Sequence, residues 1–124
     1  MNSFTDSNFI YGHLSDMESL KSLQYDRVYK EGKSRADQYI VMYALRNDTD
    51  GNRFGIVCSK KVGNSIVRHR VRRIIREAIR LHESEFMPGW DIVIIARRPI
   101  INKKSTDMEI SIGRLGKKFG IIQS

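Results

Sequence analysis

The clearest regularity in the chain is the spacing of apolar residues between Val67 and Ile79. They recur at intervals of three and four, which predicts a helix over residues 64–82 with one buried face. Asn64 or Ser65 is the expected N-cap, because short polar side chains accept hydrogen bonds from the first turn. The arginines at i, i+4 spacing lie outside the apolar stripe: Arg68, Arg72, Arg76 and Arg80.

Strand-like patterns lie on both sides of this helix. Residues 39–46 and 53–58 are rich in β-branched and aromatic residues and are separated by the turn cluster NDTDGN, so we expect an antiparallel hairpin. Residues 91–97 form a nearly continuous apolar run, which predicts a central strand covered on both faces. A short edge strand over residues 34–37 is a further expectation.

Two shorter helices are predicted outside these strands. The first covers residues 22–31, with Ser22 as N-cap and Gly32 as a left-handed residue at the C-terminal end. The second starts at a capping box over residues 106–109 and extends to Phe119. The order helix, strands, helix, strand, helix indicates an α+β fold with two layers and one sheet.

The length of 124 residues and the 40% hydrophobic content fit one compact domain. We expect residues 1–16, which lack Lys and Arg, to be a flexible extension and residues 17–124 to be the domain, with Met17 an alternative start. The longest apolar run, residues 92–96, is far too short to span a membrane. The single cysteine, Cys58, fits a reducing, cytoplasmic setting.

Positive charge is concentrated in one window. Of the net charge of +8, residues 60–80 contribute eight basic residues against the one acid Glu77. Arginine suits phosphate recognition because its planar guanidinium makes paired hydrogen bonds, and Lys60 and Lys61 lie beside the free N–H groups of the helix start. A patch of this kind favours a polyanionic partner over a solvated helix face.

Aromatic residues make RNA or a single strand a better candidate than duplex DNA. Unpaired bases stack on aromatic planes, whereas a helix that reads DNA bases usually carries Asn, Gln or Ser among its arginines. For each tyrosine, core packing with a buried hydroxyl is an equally good interpretation. The tyrosines concerned are Tyr25, Tyr29, Tyr39 and Tyr43.

The sequence gives little support for catalysis by the protein itself. The histidines, His13, His69 and His82, are scattered, and no group of carboxylates suggests a metal site. Cys58 has no base beside it, and a buried structural thiol is the simpler interpretation. The stretch EGKS lacks the earlier glycine of a phosphate-binding loop, because that position is Arg27. We expect no cofactor or metal to be bound by the protein alone.

The segment RFGIVCSKKVGNSIVRHRVRRIIREAIR, residues 53–80, closely resembles the signature region of the bacterial ribonuclease P protein subunit. The resemblance extends to residues 20–45 and 89–99, and its most specific part is SKKVGN followed by the arginine-rich helix. It implies an αβββαβα sandwich with a mainly antiparallel sheet and a left-handed crossover around the basic helix. General rules for parallel strands would favour a right-handed crossover.

The resemblance also implies separate roles for the protein and a partner RNA. A partner RNA with its Mg ions would cleave precursor tRNA, and the protein would help it release a mature 5′ end, with no membrane and no obligate protein partner. The residues implied to face the catalytic RNA are Lys60, Lys61, Asn64, Arg68, His69, Arg70 and Arg73. Those implied to line the cleft for the single-stranded 5′ leader are Tyr25, Tyr29, Val41, Tyr43, Arg72 and Arg76.

One position departs from the family pattern, since His69 replaces the asparagine of an Arg-Asn-Arg motif. An imidazole cannot reproduce the paired hydrogen bonds of an amide. We hypothesise that His69 becomes charged on RNA binding and tightens assembly toward about pH 6. Identical pH slopes for wild type and His69→Asn would disprove this. The alternatives to a ribonuclease P subunit are a ribosomal-type RNA-binding protein and, less favoured, a protein-only nuclease.

Overall fold

The computed structural model describes residues 18–123. The helices are α1 (Ser22–Glu31), α2 (Ser65–Leu81) and α3 (Ser105–Phe119). The strands are β1 (Glu18–Ser19), β2 (Lys33–Ala36), β3 (Ile40–Arg46), β4 (Arg53–Val57) and β5 (Trp90–Ala96). Short 3-10 turns, Glu83–Glu85 and Arg98–Asn102, follow α2 and β5. The extension predicted for residues 1–16 and the suggested start at Met17 lie outside the described residues.

The strands form one sheet in the order β1-β4-β5-β3-β2. The expected antiparallel hairpin of β3 and β4 is wrong, because β5 lies between them, antiparallel to β3 and parallel to β4. Since β5 is apolar on both faces, the centre of the sheet is where it buries most surface. The α+β class, the central β5 and the edge strand β2 are confirmed, and α2 connects the parallel pair β4 and β5.

Helices lie on both faces of the sheet. The larger core is on the face covered by α2 and α3, where Met42, Phe54 and Ile94 are fully buried. On the opposite face, Tyr25 and Val28 of α1 pack against the central strand β5. The sheet and the α2–α3 pair are therefore the two main layers, and α1 covers only part of the second face. No helix within residues 18–123 is long and apolar enough to cross a membrane.

The end of α1 differs from the sequence prediction. Gly32 has φ −79°, so the expected left-handed conformation is wrong. The glycine is needed for space, because a Cβ atom there would lie 2.6 Å from the carbonyl oxygen of Val28 and 2.9 Å from that of Ala44. This close approach brings the chain from α1 directly into β2.

The N-caps of two helices lie one and two residues before the predicted positions. In α1 the N-cap is Lys21, not Ser22, and its N–H donates to Gln24 Oε1 at 2.8 Å. In α3 the N–H of Lys104 donates to Asp107 Oδ2 at 2.8 Å, so the cap precedes the box predicted over residues 106–109. In both cases an acceptor three residues into the helix satisfies the N-cap amide, as in one half of a capping box.

A buried ion pair ties the starts of β4 and β5 together. Asp91, only 1% exposed, accepts two hydrogen bonds from the Arg53 guanidinium at 2.7 and 2.9 Å. The Asn47 amide donates to the same carboxylate at 2.9 Å. Asp91 is therefore a structural anion whose charge is paired and hydrogen-bonded, as a buried carboxylate requires.

Candidate nucleic-acid interface

The first turn of α2 presents the start of the predicted RNA-facing surface. Asn64 is the N-cap, and its Oδ1 accepts from the N–H of Val67 at 3.0 Å. Arg68 is half-buried and donates through Nη1 to the carbonyl of Gly63 at 3.1 Å. His69 is exposed and lies on the same helix. The cap and the Arg68 hydrogen bond hold the loop before the helix, which positions the lysines that precede it.

Arg70 has a different environment from its neighbours. Its guanidinium donates to the carbonyl of Ile101 at 3.0 Å and to that of Lys103 at 2.6 Å. These carbonyls belong to the segment between β5 and α3, so Arg70 fastens α2 to that segment. Arg73, three residues later, is exposed to solvent. Of this pair, Arg73 is the one whose charged group is open to a ligand.

The arginine stripe of α2 is more buried in its middle than the sequence predicts. Arg72 is half-buried, and Arg76 is only 6% exposed although the sequence placed it among the solvent-facing arginines. Arg72 and Arg68 lie close enough to Cys58, at the end of β4, for their charges to lower the pKa of its thiol. Burial raises the pKa of Cys58, and the two positive charges partly oppose this. The first half of the stripe therefore lies near the end of β4, and Arg80, its last member, is exposed.

Four cations converge on a depression at the carboxyl ends of β4 and β5. Lys60 and Lys61 follow β4, and Arg97 and Arg98 follow β5. Neighbouring parallel strands end at the same edge of a sheet, which brings the two pairs together. The volume is about 780 Å³, and the remaining lining residues are uncharged: Ser59, Val62 and Ala96. The depression therefore attracts anions.

Arg97 and Arg98 were missed by the sequence analysis. Their signal is a pair of cations directly after an apolar strand, but its meaning depends on β4 and β5 being parallel neighbours. Arg97 is held in place because its Nη1 donates to the carbonyl of Asp37 at 2.7 Å. Lys60, Lys61 and Arg98 are exposed.

Three of the predicted tyrosines form one cluster on the α1 face. The rings of Tyr25 and Tyr29 are 6.4 Å apart, and those of Tyr29 and Tyr43 are 5.2 Å apart in an edge-to-face arrangement. Val41, two residues before Tyr43 on the same face of β3, is half-buried. Tyr39 lies elsewhere, with the Lys103 ammonium 5.0 Å from its ring centroid. The structure thus brings together Tyr25, Tyr29, Tyr43 and the neighbouring Val41.

The tyrosines of this cluster differ in solvent exposure. Tyr25 is 3% exposed and Tyr29 is 39% exposed, so core packing describes the first and an open aromatic plane describes the second. Burial, and then the neighbouring Tyr29, raise the pKa of Tyr25 above its ordinary range. Burial, Tyr43 and Asp26 raise the pKa of Tyr29. Both hydroxyls therefore stay protonated near neutral pH and can donate hydrogen bonds.

Histidines and carboxylates do not gather into a metal centre in the described part of the chain. No group of three or more His, Cys, Asp or Glu side chains there is placed to hold a metal ion. His82 contacts Glu85 Oε1 at 2.7 Å through Nδ1 and the carbonyl of Glu109 at 2.8 Å through Nε2. Its ring connects the end of α2 to α3, which is a structural arrangement.

Comparison with known proteins identifies the family. A family model described as ribonuclease P matches residues 16–120. The ribonuclease P protein component of Lachnoclostridium phytofermentans is 49% identical over 108 residues, which cover 86% of this chain and 93% of that protein. That of Clostridioides difficile is 46% identical over 102 residues, which cover 82% and 90%.

Solved structures agree with this result and with the α+β fold. The RNase P protein of Staphylococcus aureus has 31% sequence identity and a TM-score of 0.76, covering 87% of this chain and 98% of its own. The RNase P protein of Thermotoga maritima has 28% identity and a TM-score of 0.74, covering 82% and 96%. The chain therefore belongs to the ribonuclease P protein family and is a subunit of the endoribonuclease that matures tRNA.

Proposed function

We propose that this subunit binds the ribonuclease P RNA through the exposed face of α2 and the depression beside it. The observation that supports this most strongly is the convergence of Lys60, Lys61, Arg97 and Arg98 on a depression with no acidic side chain in its lining. Four like charges repel one another unless an anion lies between them, and RNA phosphates supply that anion. The exposed Arg73 and His69 extend this surface along the helix.

The tyrosine cluster is the proposed site for the single-stranded 5′ leader of precursor tRNA. Tyr29 and Tyr43 offer aromatic planes, and Val41 adds an apolar contact on the same face. Base stacking on such planes is tolerant of sequence, which suits an enzyme that processes many different tRNAs. Of the two arginines implied to contact the leader, Arg72 is half-buried and Arg76 is buried. Arg72 would therefore be the one that pairs with a leader phosphate.

In this proposal the protein contributes positioning and charge, and the RNA subunit with its Mg ions performs the cleavage. Basic residues lower the repulsion between the two RNAs, and leader binding fixes the scissile bond relative to the catalytic RNA. The partners are the ribonuclease P RNA and precursor tRNA, with no obligate protein partner and no membrane. We assign the activity to the cytoplasm.

Reconstitution tests the proposal. The protein is mixed with a bacterial ribonuclease P RNA and precursor tRNA at low magnesium, and release of the 5′ leader is measured. We expect stimulation by the wild type, strong loss for the Lys60→Gln/Lys61→Gln variant, and normal stimulation for the control Lys21→Gln/Lys104→Gln, which removes the same charge from exposed positions.

Two results would contradict the proposal. Absence of stimulation by the wild type would show that the protein does not support the RNA enzyme. Leader release by the protein without RNA would show that the protein itself is the nuclease.

A further inference from the structure

A second group of cations lies at the edge of the sheet opposite to β4. All four residues of the edge strand β2 are exposed. Lys33 pairs with Ala44 and Arg35 pairs with Met42, and both partners belong to the core under α2 and α3. Residues directly opposite each other on paired strands point to the same face. Lys33 and Arg35 therefore project on the side of the sheet that α3 covers.

The C-terminal half of α3 adds cations next to this edge. Arg114, Lys117 and Lys118 are exposed, and their i, i+3 and i+4 spacing places them on one helix face. Two contacts join α3 to the β2 edge. The Arg35 guanidinium lies 5.9 Å from the centroid of the Phe119 ring, and Arg114 Nη1 lies 3.9 Å from an oxygen of Asp37.

One more cation continues the group along β3. Arg46 is exposed and its guanidinium lies 5.3 Å from the centroid of Trp90. It is two residues from Ala44, the partner of Lys33, and so points to the same face. We call the whole group the α3–β2 surface: Lys33, Arg35, Arg46, Arg114, Lys117 and Lys118.

The charge of this surface is only partly compensated, with Glu109 beside Arg114 and Lys117 in a shallow depression. Of the ion pairs found among residues 18–123, only that of Arg114 with Asp37 involves one of its cations. The Asp37 side chain is 11% exposed, and its Oδ1 already accepts from the N–H groups of Tyr39 and Ile40 at 2.8 and 3.0 Å. Cations near a helix C-terminus interact favourably with the helix dipole, and charged residues on an edge strand prevent pairing with another chain. Neither effect requires the two sets of cations to lie next to each other.

The aromatic rings at this surface are covered, unlike those on the α1 face. Arg35 lies over Phe119 and Arg46 lies over Trp90, so neither ring offers a free plane for an unpaired base. What remains open is a row of cations beside β3, whose length is about 20 Å. A surface of this kind contacts successive phosphates and does not read bases.

We propose that the α3–β2 surface binds the phosphate backbone of a helical RNA segment without sequence preference. This inference rests on the proposed function, and it gives the protein a second RNA contact at the sheet edge opposite to β4. The helical segment can come from the ribonuclease P RNA or from the body of the tRNA, because both present the same phosphate chemistry. The two sources are separated by experiment.

The test compares two variants that lose the same charge. Lys33→Gln/Lys117→Gln/Lys118→Gln alters the α3–β2 surface, and Lys21→Gln/Lys30→Gln/Lys104→Gln alters exposed positions elsewhere. One arm measures affinity for a ribonuclease P RNA over a range of salt concentrations. The other measures affinity of the assembled holoenzyme for tRNA that lacks a leader. Thermal unfolding of each variant checks that the fold is retained.

In one of the two arms, we expect the surface variant to lose about tenfold in affinity near 0.15 M salt. If all three lysines contact phosphates of a duplex, its plot of log affinity against log salt should flatten by about 2.7. Loss in the first arm assigns the surface to the ribonuclease P RNA, and loss only in the second assigns it to the tRNA body. Equal behaviour of the two variants in both arms would overturn the inference while wild-type binding leaves the proposed function standing. Failure of the wild type to bind RNA would overturn both.

Discussion

At Gly55 the sheet makes room for the ring of Tyr25 from α1. A Cβ atom at Gly55 would overlap the hydroxyl oxygen and Cζ of Tyr25 and lie 2.6 Å from its Cε1. Tyr25 is 3% exposed, so its ring has little space into which it can move. The glycine is thus required by a side chain on a neighbouring element, and its backbone conformation plays no part.

We predict that Gly55→Ala destabilises the protein by about 1–3 kcal/mol, the usual cost of overpacking a core. A double-mutant cycle with Tyr25→Ala tests the cause, because the added methyl costs little once the ring is gone. Urea unfolding of the four proteins gives the coupling. Additive effects of the two substitutions would contradict the overlap.

The raised pKa values of Tyr25 and Tyr29 also predict how stability responds to alkaline pH. Burial raises the pKa of Tyr25 and Tyr29, so the folded state keeps protons that the unfolded chain releases above about pH 10. Stability contributed in this way is complete below the unfolded pKa and falls as pH rises beyond it. Tyr25→Phe should therefore flatten the fall in unfolding free energy between about pH 9 and pH 11.

The measurement is denaturant unfolding at several pH values in that window. Tyr29→Phe, with the more exposed ring, should flatten the curve less than Tyr25→Phe. Parallel curves for Tyr25→Phe and wild type would mean that the Tyr25 hydroxyl ionises equally easily in both states.

Among the elements, α2 combines a structural arginine with arginines available for binding. Arg70 donates to two carbonyls of the segment before α3, whereas Arg73 is exposed. We predict that Arg70→Lys costs about 1–2 kcal/mol of stability, since lysine cannot reach both carbonyls in the fork geometry of a guanidinium. Arg73→Lys should cost less than about 0.5 kcal/mol. Thermal unfolding tests this, and equal losses would show that the Arg70 hydrogen bonds are dispensable.

The proposed leader binding involves two further arginines of this helix, Arg72 and Arg76. If both guanidiniums contacted phosphate, replacing them by glutamine would flatten the plot of log affinity against log salt for single-stranded leader RNA by about 1.4. Because Arg76 is buried, we expect Arg72→Gln to flatten the slope by about 0.7 and Arg76→Gln to lower stability instead. Filter binding of leader RNA to each single variant, at several salt concentrations, measures these slopes. A slope unchanged by Arg72→Gln would mean that this residue makes no phosphate contact.

The sequence predicted the elements whose pattern depends on neighbouring residues, and it failed where the structure depends on distant ones. The α2 stripe from Val71 to Ile79 was readable because helix periodicity depends on neighbours three and four residues away. The pairing of β4 with β5 was not, because it depends on which strand gains most by central burial, a comparison across the whole chain. The depression lined by Arg97 and Arg98 depends on that pairing and was missed with it.

At the scale of the whole molecule, the net charge of +8 is divided among distinct surfaces. The α2 face and its depression are strongly basic, and the α3–β2 surface is basic without open aromatic rings. Among residues 18–123, the tyrosine cluster on the α1 face presents an exposed aromatic ring, that of Tyr29. Single-stranded RNA binding combines stacking with charge, and for this reason the tyrosine cluster is the proposed leader site.

This arrangement predicts that the tyrosine cluster distinguishes precursor tRNA from tRNA without a leader. Tyr29→Leu/Tyr43→Leu keeps apolar bulk but removes the aromatic planes, and Tyr29→Phe/Tyr43→Phe keeps the planes without the hydroxyls. Since stacking contributes about 1–3 kcal/mol per base, the leucine variant should lose roughly tenfold of the preference for precursor tRNA, and the phenylalanine variant about twofold or less. The measurement is the ratio of holoenzyme affinities for the two tRNAs. Equal losses for both tRNAs, or for both variants, would show that stacking on these rings does not hold the leader.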